Sequence, residues 1–499
     1  MLAAVRSATL VGVDGQAVTV EVHVSPGLPS YSVVGLPDTA VRESRERVRA
    51  ALLSSGLAWP QQRITVNLAP GGIRKTGSGL ELAVALGLLA ADDELPAGAL
   101  DGVAVLGELG LDGSVRAVPG TLALVDALER TGTAVAIVPV ANGAEAALVR
   151  GVQVRAARSL GELRACIKGE CEWPDWEPPP DADDDHDDDD PVDLHDVRGL
   201  GFARRALEVA AAGRHHLLFV GPPGTGKTML ARRLGSILPP LGHDEALEVT
   251  RIHSAAGHTT GGRLVTTRPF RAPHHTASTA ALVGGGSGRP RPGEVTLAHR
   301  GCLFLDELGE FAPSALDALR QPLEERVVRI SRHPVTLTFP AAFQLVACTN
   351  PCPCGLGDRR CCCSDSQRAR YLRRLSAPFL DRFDLRVRVT APEPRDAPGE
   401  CSADVLARVA SALERQERRY ADWPWSTNSV VPASVVERLL PLRGEAREAW
   451  YSLVEARLLT GRGAARVRRV ARTLADLDGS ADITDAHVES AALLRSDVP

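Results

Sequence analysis

Aromatic residues are scarce in this chain: nine Phe, six Trp and four Tyr make up 4% of its 499 residues. So few rings exclude a nucleic-acid platform built from rows of stacking side chains, and leave phosphates as the route to any polyanion. No uninterrupted apolar run approaches the roughly 18 residues of a membrane span. The first fifteen residues, with Arg6 and Asp14, lack the blocks of a secretion signal. These absences predict a cytoplasmic protein with no membrane partner. A disulfide framework is missing too, because several of the ten cysteines crowd into one short stretch. What is present is ordinary for a globular chain, 44% hydrophobic and 24% charged. The length calls for roughly three domains.

The net charge of −5 conceals an asymmetry. Residues 175–196 carry twelve acidic side chains and no Lys or Arg, so outside them 57 basic residues face 50 acidic ones. The remainder is mildly basic, which suits a polyanionic partner without requiring one. The acidic run follows Pro178–Pro180 and cannot bury enough apolar surface to order itself. It reads as a solvated linker, with His186 a linker residue more readily than a metal ligand. Composition thus divides the chain into 1–170, an acidic linker 171–195, a central region 196–395 and a C-terminal region 396–499. In the first, strand-like runs at Ala17–Val24, Arg63–Leu68, Val103–Leu106 and Ala134–Val138 alternate with helical patterns at Thr39–Ser54, Leu80–Ala91 and Leu122–Arg130, an α+β domain. Beyond about Ala403 only helical patterns remain, at 403–420, 432–441, 445–459, 464–477 and 484–495, the last with Thr484 as N-cap. This predicts an all-α C-terminal domain after a central α/β core.

The central region carries the chemistry. His215–Val220 (HHLLFV) reads as a short buried strand. It runs into GPPGTGKT, namely Gly221, Pro222, Pro223, Gly224, Thr225, Gly226, Lys227 and Thr228, a full match to G-x-x-x-x-G-K-[ST]. The glycines let backbone N–H groups turn towards phosphates, and the following helix adds its N-terminal partial charge. Lys227 is placed to reach the β- and γ-phosphates of ATP, and Thr228 to hold Mg²⁺. A second apolar strand, Cys302–Leu305, ends in Asp306, an Mg²⁺ holder, and Glu307, a base for the attacking water. A strand that happens to end in solvated acids is the other reading of that pair, one the neighbouring P-loop speaks against. A third strand, Phe343–Cys348, ends in Thr349 and Asn350. Asn350 is either a γ-phosphate contact or a turn former before Pro351. Cys352, Cys354, Cys361, Cys362 and Cys363 follow closely. Their C-x-C layout suits tetrahedral Zn²⁺, with a loop of reduced thiols as the other reading.

GPPGTGKT, FLDELGEF, the run Arg271–Gly301 (RAPHHTAS…GGG…PRPGEVTLAHRG), TNPCPCG and LDRFDLR together resemble the ComM/YifB-type magnesium-chelatase-like AAA+ ATPases, over nearly the whole chain. The resemblance implies that Asn350 is sensor 1 and that Arg382 is an arginine finger offered to a neighbour's ATP. Arg462, before RVRRVARTLADL, would be sensor 2. Cys352, Cys354, Cys361 and Cys363 match the family's cysteine pattern, leaving Cys362 over. The same likeness implies a homo-oligomer, a hexameric ring, acting on branched or single-stranded DNA. Its task would be branch migration in recombination during natural transformation, with recombination proteins as partners. A magnesium-chelatase-type motor subunit that remodels a protein partner is the alternative. The interval Met229–Gly301 fits this clade's helix-2 insertion. Glu325–Phe339 reads as a β-hairpin whose Arg326, Arg329, Arg332 and His333 either grip phosphates or merely solubilise an edge.

Asn67–Leu86, Val105–Gly120 and Ala136–Asn142 resemble the Lon-protease fold. Lon enzymes use a Ser/Lys pair, but the nucleophile's place falls at Gly79, with Ser78 out of register, and the lysine's near Leu122. A Lon-like domain without peptidase activity is therefore expected. Lys75 and Arg74 are either phosphate contacts or ordinary loop residues.

Overall fold

The computed structural model describes the chain except residues 76, 78, 177–191, 259–260, 287–289, 333–334, 358–360, 392, 394–396, 457–460 and 496–499. The side chains of residues 40, 332, 335 and 462 are likewise outside the description. Residues 177–191 of the acidic run, His186 among them, fall in that excluded set, whereas Asp193 and Asp196 at its end are placed and cap the short turn Leu194–Asp196. Two compact units result: Met1–Asp185 with Gly242–Thr266, and His186–Leu241 with Thr267–Pro499.

The first unit is built on a seven-stranded mixed sheet. Its spatial order is Ser30–Val34, Arg63–Ala69, Asp14–Ser25, Leu2–Val11, Val103–Val105, Val135–Pro139, Gln153–Ala157. The two long strands pair antiparallel from Leu2↔His23 to Val11↔Asp14, a register fixed by a two-residue turn. Thr39–Ser54 forms a helix because Asp38 caps it, accepting from Val41 N at 2.9 Å. Glu81–Ala91 is apolar all round and is buried against the sheet. Part of the interval Met229–Gly301, residues Gly242–Thr266, also belongs to this unit. His243–Ala256 packs against the helix Thr121–Glu129, with Leu247 and Ala255 on its apolar cluster. Gly120 N donates to Ser254 O at 3.1 Å, and the Arg251 guanidinium lies 3.6 Å from Asp14 and 3.7 Å from Asp126.

The second unit carries a five-stranded, all-parallel sheet in the order Phe270–Arg271, Cys302–Leu305, Gln344–Thr349, Leu217–Val220, Leu385–Arg388. Its three central strands are buried throughout and so read as near-continuous apolar runs. The helices Ser402–Arg419, Gly444–Glu455, Gly461–Leu477 and Asp485–Leu493 follow, the last capped by Thr484. Val405, Val409 and Ala412 recur at helical spacing and share one core with Phe219, Val470 and Ala471. The helix expected at 432–441 shrinks to Val436–Leu439, between Pro432 and Pro441. Among the described residues, no helix is long and apolar enough to cross a membrane.

Beneath the strand Leu217–Val220, Asp384 is buried. It accepts from His216 N at 3.2 Å and from Arg466 Nη1 at 2.8 Å, and His215 Nδ1 stands 3.5 Å away. Burial by itself favours the neutral acid, but the His215 imidazole and the Arg466 guanidinium outweigh it and hold the carboxyl well below the carboxylate range. A group depressed in this way stabilises the fold above the unfolded pKa near ~4, and the contribution is lost as pH falls further. Asp384→Asn removes the buried charge that faces Arg466 and is expected to destabilise by about 3 kcal/mol, the low end for a broken buried pair, because Arg466 is partly exposed and keeps the Arg382 carbonyl. Urea unfolding at pH 7 would show it, with the gap from wild type narrowing in acid. An unchanged midpoint contradicts the assignment.

Candidate functional site

Parallel register places the ends of three strands side by side. Val220 pairs with Thr349, and Leu305 with Ala347, so Gly221, Asp306 and Asn350 emerge at one carboxyl edge. This is the edge where open parallel sheets bind ligands. Gly221 is required there, because a Cβ would lie 2.2 Å from Val389 O of the neighbouring strand. A cavity of about 430 Å³ opens at this edge, lined by Pro223–Met229, Asp306, Glu307, Cys348, Thr349 and Asn350. That volume suits a small-molecule ligand.

The polar groups are already close to one another. Lys227, only 8% exposed, donates to the carbonyls of Gly221 and Pro222 at 2.7 Å each, and its ammonium stands 3.4 Å from Asn350 Oδ1. Burial lowers its pKa, an arrangement that an incoming polyphosphate would relieve. Thr228 Oγ1 donates to Asp306 Oδ2 at 2.8 Å, two oxygens of the kind Mg²⁺ takes. The donor set therefore fits Mg²⁺-ATP. Cys348, behind these groups, has its thiol pushed well up by burial and by the Asp306 charge.

Glu307 follows in a left-handed conformation (φ 51°, ψ 46°), which non-glycine residues adopt mostly under tertiary constraint. Its Oε2 is 3.2 Å from His275 Nδ1, and the His275 ring lies against His274 and, edge-on, Phe311. Sequence reasoning quoted His275 inside the run Arg271–Gly301 but gave it no role. The signal available was its place just beyond the strand Phe270–Arg271, which lies beside Cys302–Leu305.

The cysteines come together immediately beyond Asn350. The sulfurs of Cys352, Cys354, Cys361 and Cys363 lie within 4.8 Å of one another, while Cys362 is exposed and outside the group. After Cys363 the helix Asp365–Arg374 starts at Ser364, and its Tyr371 hydroxyl returns to Thr349 Oγ1 at 3.0 Å.

Arg382 is elsewhere. It precedes Leu385, whose strand pairs in parallel with the P-loop strand from Leu217↔Leu385, so it lies at the amino edge of the sheet. Its guanidinium pairs with Glu324 and its carbonyl accepts from Arg466 Nη1 at 3.0 Å. Arg462 begins the same helix, Gly461–Leu477, four residues before Arg466; its side chain lies outside the described residues. The hairpin Val327–Arg332/Val335–Pro340 is present. Arg329 is exposed on it and paired with Glu325, whereas Arg326 sits before the hairpin in a left-handed turn. His333 and the side chain of Arg332 lie outside the described residues.

In the first unit, Lys75 is fully buried, its ammonium on Pro70 O, with its pKa lowered by burial. This corrects the phosphate-contact reading of Lys75: the loop closes over the side chain instead of presenting it, while Arg74 stays exposed. Leu122 is buried, and Ser78 is among the residues not described.

A parallel sheet with the Asn350 strand between the other two, a Gly-rich loop and an acid pair define the AAA+ class of P-loop ATPase. Comparison with known proteins narrows this. The family "Magnesium chelatase, subunit ChlI" matches residues 193–397, "Subunit ChlI of Mg-chelatase" residues 20–142, and "Magnesium chelatase, subunit ChlI C-terminal" residues 399–495. An uncharacterised protein of Mycobacterium tuberculosis strain H37Rv is 45% identical over 94% of this chain and 93% of its own. YifB of Escherichia coli K12 is 42% identical, and competence protein ComM of Haemophilus influenzae 40%, each over 99% of this chain and 97% of its own. The chain belongs to the ComM/YifB magnesium-chelatase-like family of AAA+ ATPases. A shorter match, 30% identity over 156 residues to Lon protease 2 of Bacillus subtilis, covers 28% of the chain and supports a Lon-like relationship.

Two substitutions test the site. Lys227→Ala removes charge-assisted bonds of about 1.5–3 kcal/mol each, so ATP should bind at least roughly tenfold more weakly by fluorescent-nucleotide titration. Unchanged affinity would exclude Lys227 from the phosphate site. His275→Ala leaves Glu307 unheld and should lower turnover about tenfold or more with ATP affinity retained; wild-type turnover would exclude a role for that contact.

Proposed function

We propose that the chain assembles into a hexameric ring whose ATP sites are completed between neighbours, and that the ring uses ATP to remodel DNA. Branch migration of recombination intermediates during natural transformation is the favoured task. The observation that carries the ring is the position of Arg382. Phosphates bind at the carboxyl edge of the sheet, and Arg382 stands at the amino edge, one strand of about 13 Å away. It can serve a nucleotide only on another copy.

In this reading Lys227 and the N–H groups of the loop hold the phosphates, and Thr228 and Asp306 hold Mg²⁺, which neutralises phosphate charge. Glu307 orients water and takes its proton, with His275 steadying the carboxylate. Asn350 contacts the γ-phosphate as sensor 1. Arg382, released from Glu324, supplies positive charge to the neighbour's site, and Arg462 acts as sensor 2. The four-cysteine box holds a structural Zn²⁺, the helices after Ser402 form the lid, and the first unit is a Lon-like domain without peptidase chemistry.

DNA as the substrate is supported by the exposed Arg329 hairpin, the basic balance outside the acidic run, and a 40% identical relative named as a competence protein. The family matches named for magnesium chelatase favour a second reading, a motor that remodels a protein partner.

ATP-dependent migration of a synthetic four-way junction separates the two. Wild type should move the junction and Glu307→Gln should bind ATP without moving it. If wild type hydrolyses ATP but leaves junctions unmoved across salt and Mg²⁺ titrations, the DNA reading falls and the chelatase-type reading stands. Arg382→Ala should assemble yet lose roughly 10³-fold or more in turnover. Mixing it with Lys227→Ala should restore part of the activity, because each copy supplies what its neighbour lacks. Full ATPase in Arg382→Ala alone would remove the finger.

A further inference from the structure

We infer that the metal held by Cys352, Cys354, Cys361 and Cys363 positions Asn350 beside the P-loop, so that zinc occupancy sets the rate of ATP turnover and not the affinity for ATP. This rests on the zinc and ATPase readings above.

The four sulfurs lie within 4.8 Å of one another, and the three closest spacings approach those around one tetrahedral ion. A Zn–S bond of about 2.3 Å implies S···S edges of about 3.8 Å. Cys352 and Cys354 are 3.3 Å apart, Cys352 and Cys361 3.6 Å, and Cys354 and Cys361 3.8 Å. All ten cysteines are free, so no disulfide accounts for this approach. Backbone N–H groups complete the surroundings: Cys354 N donates to Cys363 Sγ at 3.3 Å and Gly357 N to Cys352 Sγ at 3.4 Å. Donors aimed at sulfur favour the thiolates that zinc requires.

The box is attached to the nucleotide site at two points. Cys352 is two residues from Asn350, with the rigid Pro351 between them. Gly355 turns (φ +79°) against the P-loop itself, where a Cβ would lie 2.8 Å from Pro223 Cδ. Beyond the box, Tyr371 closes the circuit by its hydrogen bond to Thr349, the residue before Asn350. The described stretches on either side of residues 358–360 are therefore tied at their base by the Thr349–Tyr371 hydrogen bond, and the metal ties them again through the four sulfurs. Without the metal, the Gly- and Pro-rich stretch Pro351–Gly357 is joined to Cys363 by an N–H···S contact in place of metal bonds, and the Asn350 amide loses its fixed direction. Lys227 and the loop N–H groups, which bind ATP, are anchored independently by the strand and helix on either side.

Zinc content, nucleotide affinity and steady-state kinetics on the full chain test this. Wild type should carry one zinc per chain by elemental analysis, and Cys361→Ser and Cys363→Ser should lose it. In those variants kcat should fall roughly 10- to 100-fold, while the Kd for a fluorescent ATP analogue stays within about threefold. Cys362→Ser should keep both zinc and rate. Gly355→Ala should keep zinc and lose turnover, because its methyl group presses on Pro223. Folded wild type that hydrolyses ATP without zinc overturns the metal. Zinc-free Cys361→Ser turning over at the wild-type rate overturns the coupling and leaves the metal site standing. Should the serine variants fail to fold by circular dichroism, Gly355→Ala decides alone: wild-type kcat with zinc intact overturns the coupling. Absence of ATP hydrolysis in zinc-loaded wild type defeats the ATPase reading, and the coupling with it.

Discussion

The parallel alignment of three strands governs everything else in the ATPase unit. Leu217–Val220, Gln344–Thr349 and Cys302–Leu305 each end at the same edge, and each delivers a different chemistry there: a phosphate cradle, an amide and an acid pair. Apolar side chains on both faces hold the strands in that register, and a slip of one residue would turn every side chain to the opposite face. Gly221 tolerates no side chain because the carbonyl of Val389, just past the strand Leu385–Arg388, lies so close beside it. Packing and catalysis are thus decided by the same backbone.

The other edge has its own economy of charge. Asp384 is ionised inside the protein, between two histidines and Arg466, and the turn it anchors presents Arg382. A buried carboxylate partnered in this way is poor evidence of extra stability relative to an apolar core, but it fixes a geometry. Here the geometry is that of a residue whose partner within its own chain is Glu324. Exchange of one acidic partner for a phosphate is a small step for a guanidinium, since both are anions that offer two oxygens to its paired N–H groups.

Much of this was legible in the residues alone. GPPGTGKT is a local signal, its eight positions confined to one turn, and CLFLDE needs only a buried strand with acids after it. The helix Thr39–Ser54 and the cap at Thr484 were equally plain, since caps act over three or four residues. The strand Leu2–Val11 was not, because its second half is buried on both faces and shows no alternation. Ser30–Val34 (SYSVV) and Gln153–Ala157 (QVRAA) carry polar or small residues at most positions, so neither presents the apolar run that made Ala134–Val138 readable. His275, Glu324 and Tyr371 were missed for a different reason. Each matters through a residue 30 to 60 positions away or, for Tyr371, through a loop that doubles back. Lys75 failed in the opposite sense, its cationic side chain turned inward by a loop whose closure no local pattern announces.

The helix His243–Ala256 belongs by sequence to the ATPase and by packing to the first unit, so the chain passes between the units three times. Genes trade domains most readily at a single seam, and this protein has none. A gene shortened to begin after the acidic run would encode an ATPase bearing an amphipathic helix with Leu247 and Ala255 uncovered, a sticky face instead of a clean boundary. A gene encoding only the first 185 residues would lack the helix that covers that cluster. Descent should therefore have kept the two units together, whether or not the first still has chemistry of its own.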